Sequence, residues 1–245
     1  MSSVLILGAT SDMARAIARA YVKAGRSVIL AARNPERLEL DLVDLQVRAH
    51  VQARSVGFDV LDITHHGAFL DSLGELPGTI VCVVGGMGDQ ATSEREVAGA
   101  ELVMRTNYVG PVALFSEAAN RMATRGTGTL IGISSVAGER GRARNYIYGS
   151  AKAGFTVFLS GLRQRLAQAG TEVRVVTVLP GFVRTSATAG MTTPGMLTAE
   201  PKEVADAILR AESGGPETIF VRPIWRVVMA VIRALPESIF KKLRI

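Results

Sequence analysis

Short apolar runs alternate with segments of helical periodicity along the whole chain. The runs have the length and composition of buried strands and lie at 4–7, 28–31, 52–58, 80–84, 130–133, 173–179 and 218–221. Between them, apolar residues recur with the spacing of helices, over 13–24, from about 35, and over 64–73, 94–124, 146–168 and 201–212. This alternation predicts an α/β fold, a Rossmann-type doubly wound parallel sheet with helices on both faces and ligands at the carboxyl ends of the strands.

The composition fits one domain. The 245 residues, 48% of them hydrophobic, are enough for one large core, and no linker or repeat interrupts them. The single cysteine, Cys82, excludes an internal disulfide, fits the cytoplasm and lies in an apolar run, which indicates a buried thiol. His50, His65 and His66 lack the spacing of metal ligands, so we expect solvated side chains and no metal. We expect no signal peptide, because the apolar run 4–7 is too short and a Gly-rich turn follows it at once. We expect no transmembrane span, because no apolar run approaches about 18 residues.

The stretch 130–152 carries the chemistry. The apolar run 130–133 ends in two serines, Tyr148 follows Ser135 by thirteen residues, and Lys152 follows Tyr148 by four. On a helix, positions 148 and 152 share a face. A fixed ammonium beside a phenol favours the phenolate and makes the tyrosine an acid/base, while a serine hydroxyl can hold a carbonyl oxygen. The alternative interpretation is a surface tyrosine and lysine on an ordinary helix.

This segment resembles the active site of the short-chain dehydrogenase/reductase family, in which a strand ending in Ser-Ser precedes a helix that carries Tyr-x-x-x-Lys. The resemblance implies that Ser135 positions the substrate oxygen and that Tyr148 exchanges the proton. It implies that Lys152 lowers the pKa of the tyrosine and holds the nicotinamide ribose. The resemblance covers roughly residues 3–222, so we expect a dinucleotide-binding and catalytic part over 1–222, and a basic amphipathic extension of the same domain over 223–245.

The turn after the first strand is the expected site of the cofactor pyrophosphate, at the N-terminus of the first helix. The family has three glycines here, but only Gly8 matches, and Asp12 and Ala14 replace the other two. A carboxylate at position 12 repels a pyrophosphate unless its side chain points away. The residues that we expect to bind the cofactor in this turn are Gly8, Thr10, Ser11, Asp12 and Met13.

The end of the second strand favours NADP(H) over NAD(H). An acid usually binds the ribose hydroxyls of NAD at this place, whereas an arginine accommodates the 2′-phosphate of NADP. The chain has no acid there and has Arg33 instead. A solvated arginine at a strand end is the alternative.

Other positions are carried over from the family. Asp59 and Val60 match the pair that contacts adenine, and Asn107 matches the asparagine that supports a water-mediated proton path to the lysine. The usual Asn-Asn-Ala-Gly after the fourth strand is replaced by Val83-Val84-Gly85-Gly86. The remaining positions expected to contact the cofactor, mostly near the nicotinamide, are Gly85, Tyr148, Lys152, Pro180, Gly181, Val183 and Thr185.

The basic charge is concentrated at the C-terminal end. Residues 222–245 contain six basic residues and one acid, a net +5 of the +6 of the whole chain. Apolar residues at 225, 228, 229, 232 and 235 predict a helix. It either covers the core or a subunit interface, or rests on anionic lipid with Trp225 inserted. No nucleic-acid-binding motif accompanies the charge, so we expect no nucleic acid partner.

A closer similarity concerns the substrate. The segment 135–140, the residues 148–150 and the ending 236–245 are similar to the actinobacterial reductases that convert decaprenylphosphoryl 2-keto-erythro-pentofuranose to the arabinose form. That similarity implies a lipid-linked keto-sugar and a cytoplasmic protein that contacts the inner face of the membrane. The alternatives are a reductase of a small soluble ketone or acyl substrate, and a non-catalytic NADP-binding scaffold. The family resemblance also implies a homodimer or homotetramer through the helices at 94–124 and 146–168.

Overall fold

The computed structural model describes residues 3–49 and 51–243, and its centre is a parallel sheet. Seven strands lie in the order β3-β2-β1-β4-β5-β6-β9, and every neighbouring pair is parallel. Their bounds are β1 Val4–Leu7, β2 Val28–Ala32, β3 Ala53–Gly57, β4 Thr79–Cys82, β5 Thr127–Ile133, β6 Glu172–Leu179 and β9 Thr218–Phe220, and the two short strands β7 Phe182–Val183 and β8 Thr198–Ala199 pair separately. The order reverses beside β1, which creates the crevice where such sheets bind ligands.

Helices cover both faces of the sheet. Their bounds are α1 Asp12–Lys23, α2 Glu39–Arg48, α3 His66–Ser72, α4 Gln90–Arg95, α5 Val97–Met104, α6 Gly110–Arg125, α7 Tyr146–Gln168, α8 Pro201–Glu212, α9 Ile224–Ala234 and α10 Glu237–Phe240. Side chains of β1 alternate between the faces, as the pleat requires. Val4 and Ile6 join a core that includes Ile17 of α1, while Leu5 joins a core that includes Phe115 of α6. The predicted fold class is confirmed.

The expected helix over 94–124 has an internal structure that periodicity did not predict. Glu96 is extended, with φ −118° and ψ 109°, and separates α4 from α5. A π-helical turn, Arg105–Val109, joins α5 to α6. Such turns add one residue and are frequent at functional sites. This one carries Asn107.

The histidines divide between surface and core. His65 is exposed and contacts Asp62, but His66 is only 1% exposed, with its ring centroid 5.2 Å from that of Phe58. The expectation that His66 is solvated is therefore wrong, because Phe58 and its neighbours cover the start of α3. His50 lies outside the described residues. Cys82 is buried, as expected.

Helix α9, the longer of the two helices in the C-terminal segment, packs on the carboxyl end of the sheet. Trp225, 3% exposed, and Met229 form a small core with Val136 and Leu179, and Trp225 Nε1 donates a hydrogen bond to the carbonyl of Leu197 at 3.0 Å. The prediction that Trp225 inserts into lipid is wrong, because one face of α9 closes over the sheet. Within the described residues, no helix combines the length and the hydrophobicity that a bilayer crossing requires.

Arg140 fastens the end of α9. Its guanidinium donates to the carbonyls of Ile232 and Leu235 at 2.5 and 2.6 Å, and its central carbon lies 3.8 Å from the ring centroid of Phe240. Arg140 also bonds Glu237 at 2.9 Å. The loop after β5 and the C-terminal segment are thus one packed unit. The last two residues of the predicted extension, Arg244 and Ile245, lie outside the described residues.

Candidate active site

Ser135, Tyr148 and Lys152 line one cavity of about 250 Å³ at the carboxyl end of β5. The strand ends at Ile133, and the two serines that follow connect it to α7. Ser134 Oγ donates to the carbonyl of Lys152 at 2.9 Å, which holds α7 against the strand end. Ser135 Oγ accepts from the backbone N–H of Ala137 at 3.1 Å, which fixes its position. The structure brings these three of the four predicted catalytic residues together, and the fourth is Asn107.

Lys152 is a buried cation. Its side chain belongs to a residue only 3% exposed, and Nζ donates to the carbonyl of Ile133 at 2.9 Å. Burial disfavours the charged form and lowers the pKa of Lys152 to about 8. The ammonium lies 5.8 Å from the ring centroid of Tyr148, so it is close to the phenol without being bonded to it.

The pKa of Tyr148 is raised, because burial disfavours the phenolate, while a side-chain hydrogen bond with Ser135 opposes this. The family resemblance implied the opposite direction, a pKa lowered by Lys152. The difference has a physical reason, since Nζ is directed to the Ile133 carbonyl and the phenol is partly desolvated by the walls of the cavity. In this state Tyr148 is a neutral phenol, the protonation state of a general acid.

Asn107 lies behind the cavity instead of lining it. The residue is fully buried, and its amide donates to the carbonyls of Gly86 and Val103 at 2.7 and 2.9 Å and accepts from Gly86 N at 3.2 Å. A Cβ built on Gly85 would come within 2.9 Å of Asn107 Oδ1 and 3.2 Å of Lys152 Nζ. Asn107 therefore shapes the loop after β4 and leaves room only for glycine beside the lysine.

A second cavity, of about 430 Å³, opens between the ends of β1, β2 and β4. The predicted cofactor residues that line it are Gly8, Thr10, Ser11, Arg33, Asp59, Val60 and Gly85. It shares Val83, Gly85 and Gly86 with the catalytic cavity, so the two form one cleft. Gly8 has φ +76°, and a Cβ there would meet Val84 N at 3.0 Å. The close approach of the backbone at Gly8 to that at Val84, the positive φ of Gly8 and the arginine at the end of β2 fit a nicotinamide dinucleotide.

The carboxylate of Asp12 is engaged away from the cleft. It accepts from the backbone N–H and the hydroxyl of Ser186 at 2.7 and 2.9 Å, and these bonds lower its pKa. Asp12 lines neither cavity, unlike the other residues predicted in this turn. The segment after β7 therefore binds the carboxylate and turns it away from the cleft, which reduces the repulsion expected between Asp12 and a pyrophosphate.

The turn after β6 forms the side of the cleft where we expect the nicotinamide. Its predicted residues line the catalytic cavity together with Met13, and they are Pro180, Gly181, Val183 and Thr185. The carbonyl of Pro180 accepts from Val136 N at 3.1 Å, which ties this turn to the serine loop. A Cβ on Gly181 would collide with the indole of Trp225. The tail thus forms part of the wall.

Several residues of the catalytic cavity were not predicted from the sequence. They are Met87, Arg142, Asn145, Ala187, Thr188, Met191 and Trp225. Apart from Trp225, which lies on α9, they occupy connections near the motifs, and the sequence does not indicate which side chains of such connections face a cavity. In the part of the chain that the structure describes, no cluster of three His, Cys, Asp or Glu side chains could hold a metal ion.

The chain is similar in sequence and in fold to known oxidoreductases. The short chain dehydrogenase family matches residues 2–194. An uncharacterized oxidoreductase from Mycobacterium tuberculosis is 37% identical over 244 residues, 98% of this chain and 96% of that protein. An uncharacterized oxidoreductase from Streptomyces coelicolor is 38% identical over 247 residues, 98% of this chain and 95% of that protein. The fold matches a short-chain dehydrogenase from Sphingobium yanoikuyae in complex with NADPH, with a TM-score of 0.82 and 23% identity over 100% of this chain and 97% of that one.

Proposed function

The chain belongs to the short-chain dehydrogenase family, a family of NAD(P)-binding oxidoreductases, and on that basis we propose that it reduces a ketone to a secondary alcohol with NADPH. One observation carries the proposal. Ser135, Tyr148 and Lys152 line a cavity that is continuous with the dinucleotide-shaped cleft. A non-catalytic scaffold has no use for this arrangement of a neutral phenol, a buried ammonium and a hydroxyl.

The residues divide the work of the reaction. NADPH, when bound, supplies a hydride to the carbonyl carbon and is oxidised to NADP⁺. Ser135 donates a hydrogen bond to the carbonyl oxygen, and Tyr148 donates its phenolic proton to that oxygen as negative charge develops there. The C=O double bond becomes CH–OH, and the phenolate left on Tyr148 recovers its proton from solvent. The Lys152 ammonium stabilises the phenolate in that interval.

The raised pKa of Tyr148 suits the role of general acid in ketone reduction. A general acid must hold its proton until the substrate oxygen takes it, and a phenol with a raised pKa does so at neutral pH.

Arg33 supports a preference for NADPH over NADH. It is exposed at the end of β2, lines the cavity between the ends of β1, β2 and β4, and forms no ion pair with a carboxylate of the described residues. A guanidinium there binds a 2′-phosphate through charge-assisted hydrogen bonds.

The substrate proposed in finer detail is a lipid-linked keto-sugar. Two segments that are similar to the decaprenylphosphoryl keto-pentose reductases, Glu139–Arg140 and 236–240, contact each other in the fold, as Arg140 bonds Glu237 and stacks on Phe240. A small soluble ketone or an acyl substrate is the alternative, and the apolar side chains of Met87 and Met191 in the cavity suit it.

A membrane-bound substrate would be reached through the outer face of α9, at the cytoplasmic surface of the membrane. Val227 and Val231, 65% and 59% exposed, lie one turn apart there, and Lys241 and Lys242 are exposed nearby. Two other cations of the tail are neutralised, since Arg222 pairs with Glu203 and Arg233 with Glu139. The proposed contact therefore rests on fewer free charges than the sequence indicated.

Members of this family typically form oligomers, and we propose a homodimer or homotetramer here. Exposed apolar side chains lie on the two helices expected at the contact. On α5 they are Val97 and Leu102, and on α7 it is Val157, which is 71% exposed.

The experiment that tests the function is an NADPH-oxidation screen over ketones. The panel includes small ketones, acyl ketones and a polyprenyl-phosphate keto-sugar, each with NADPH and with NADH. Reduction of any ketone with NADPH supports the proposal, and the preferred ketone assigns the substrate class. Tight NADPH binding without turnover of any ketone would favour the scaffold.

A further inference from the structure

The catalytic cavity is lined by two cations and by no acid among the described residues. Lys152 lies at its floor, and Arg142 lies in the loop between β5 and α7. No Asp or Glu side chain of the described chain lines the same space. A cavity with this charge favours a ligand that brings negative charge into it.

Arg142 has no carboxylate partner within the described residues, unlike other arginines near it. Arg140 pairs with Glu237 at 2.9 Å, and Arg233 pairs with Glu139 at 3.1 Å. Arg142 donates a long hydrogen bond from Nη2 to the carbonyl of Val136 at 3.3 Å, and its Nε is buried without a partner among the described residues. Burial lowers its pKa. A partly buried guanidinium that lacks an anion is unfavourable unless a ligand supplies one.

Asn145 adds the complementary group. Its Oδ1 is also buried without a partner, and it lines the same cavity. The backbone N–H of Asn145 donates to the carbonyl of Arg142 at 3.0 Å, so a turn holds the two residues side by side. Arg142 offers an unused donor, and Asn145, three residues before Tyr148, offers an unused acceptor. Buried polar groups of this kind normally have partners.

We propose that the substrate is a hydroxylated ketone that carries an anionic oxygen group, and that Arg142 binds the anion while Asn145 binds a hydroxyl. The inference rests on the proposed ketone reduction and narrows its substrate class. The anion is a phosphate or a carboxylate, because both present oxygens that a guanidinium fork binds. The volume of about 250 Å³ suits the reacting end of such a molecule. Arg142 is then a specificity-determining residue, not a group that takes part in proton transfer.

The test compares matched ketones with and without the charge. Steady-state NADPH oxidation is measured with dihydroxyacetone phosphate against dihydroxyacetone, and with acetoacetate against its methyl ester. We expect the anionic member of at least one pair to have a kcat/KM higher by about tenfold or more, mainly through KM, as one charge-assisted hydrogen bond provides. The pair that shows the preference identifies phosphate or carboxylate.

Variants locate the preference. Arg142→Met should reduce the ratio of anionic to neutral kcat/KM to about one, and Arg142→Lys should keep part of it. Arg144→Met is the matched control, because Arg144 lies two residues away, is exposed and does not line the cavity. Thermal unfolding checks the fold. Since the unpaired charge opposes burial, Arg142→Met should unfold at the same or a higher temperature than the wild type.

A binding measurement keeps the inference separate from turnover. Calorimetry with glycerol 3-phosphate, lactate and glycerol on the protein loaded with NADP⁺ should give binding of at least one anion, lost in Arg142→Met and retained in Arg144→Met. No preference for either anion in kinetics and in binding, or a preference that survives Arg142→Met, overturns the inference. Turnover of neutral ketones would then leave the ketone reductase standing, whereas anion binding without any turnover would support Arg142 and remove the proposed reaction.

Discussion

The carboxylate of Asp12 accepts two hydrogen bonds from Ser186, from the backbone N–H at 2.7 Å and from the hydroxyl at 2.9 Å. This contact joins the first turn of α1 to the segment that follows β7. The family usually has a glycine at the position of Asp12, which leaves the N-terminus of the helix open to the cofactor pyrophosphate. In this chain the aspartate instead holds the segment after β7, which lines the catalytic cavity.

Loss of this contact should loosen the segment. We expect Asp12→Ala to accelerate tryptic cleavage after Arg184 several-fold, and to lower the free energy of unfolding by about 1 kcal/mol, because a charge-assisted bond to a partly exposed group is lost. Limited proteolysis followed by mass spectrometry measures the cleavage. Asp62→Ala is the control, since the Asp62 carboxylate bonds Thr64 and His65 of its own turn. Equal cleavage of the two variants would contradict the fastening.

The contact of Gly181 with Trp225 gives a prediction about packing. A methyl group at position 181 would collide with the indole, so Gly181→Ala should lower the free energy of unfolding by about 1–3 kcal/mol in urea denaturation. In a Trp225→Phe background the cost should be smaller, which a double-mutant cycle measures. Gly161→Ala is the control, because a Cβ there meets nothing within 4 Å and alanine favours the helix. Additive effects would mean that α9 does not pack on the turn.

Arg33 should determine the choice of cofactor. Arg33→Ser removes the cation expected at the 2′-phosphate, and we expect KM for NADPH to rise by about tenfold while KM for NADH changes little. Initial rates with both cofactors measure the effect. Arg37→Ser provides the comparison, because Arg37 follows in the next turn and does not line the cavity. A parallel change with both cofactors would remove the NADP assignment.

The outer face of α9 should bind anionic membranes if the proposed contact exists. We expect co-sedimentation of the protein with vesicles rich in phosphatidylglycerol, weakened in Val227→Ser/Val231→Ser. Val43→Ser/Val47→Ser is the matched control, since these valines are also exposed one turn apart, on α2. Truncation of the tail is unsuitable because it removes Trp225 and Met229 from the core. If the intact protein stays in the supernatant when the vesicles sediment, the membrane contact is excluded and a subunit interface is favoured for this face.

The sequence predicted the parts of the molecule that local patterns determine. Strand and helix order followed from periodicity, and the cavity of Ser135, Tyr148 and Lys152 followed from a motif on adjacent elements. Contacts between distant segments were beyond such patterns. The bond from Asp12 to Ser186 spans 174 positions, and the burial of Trp225 depends on a helix that folds back from the C-terminal end. The pKa of Tyr148 also depends on burial, which the motif does not encode.

Tyr148 is proposed as the general acid beside a bound nicotinamide, and the rest of the proposed reaction depends on it. The most direct test is Tyr148→Phe, in which cofactor binding is followed by NADPH fluorescence and turnover by NADPH oxidation with the best ketone of the screen. The phenyl ring keeps the cavity filled but has no proton to donate, so we expect NADPH affinity within a few-fold of wild type and kcat lower by about a thousandfold or more. Turnover comparable to the wild type would contradict this role.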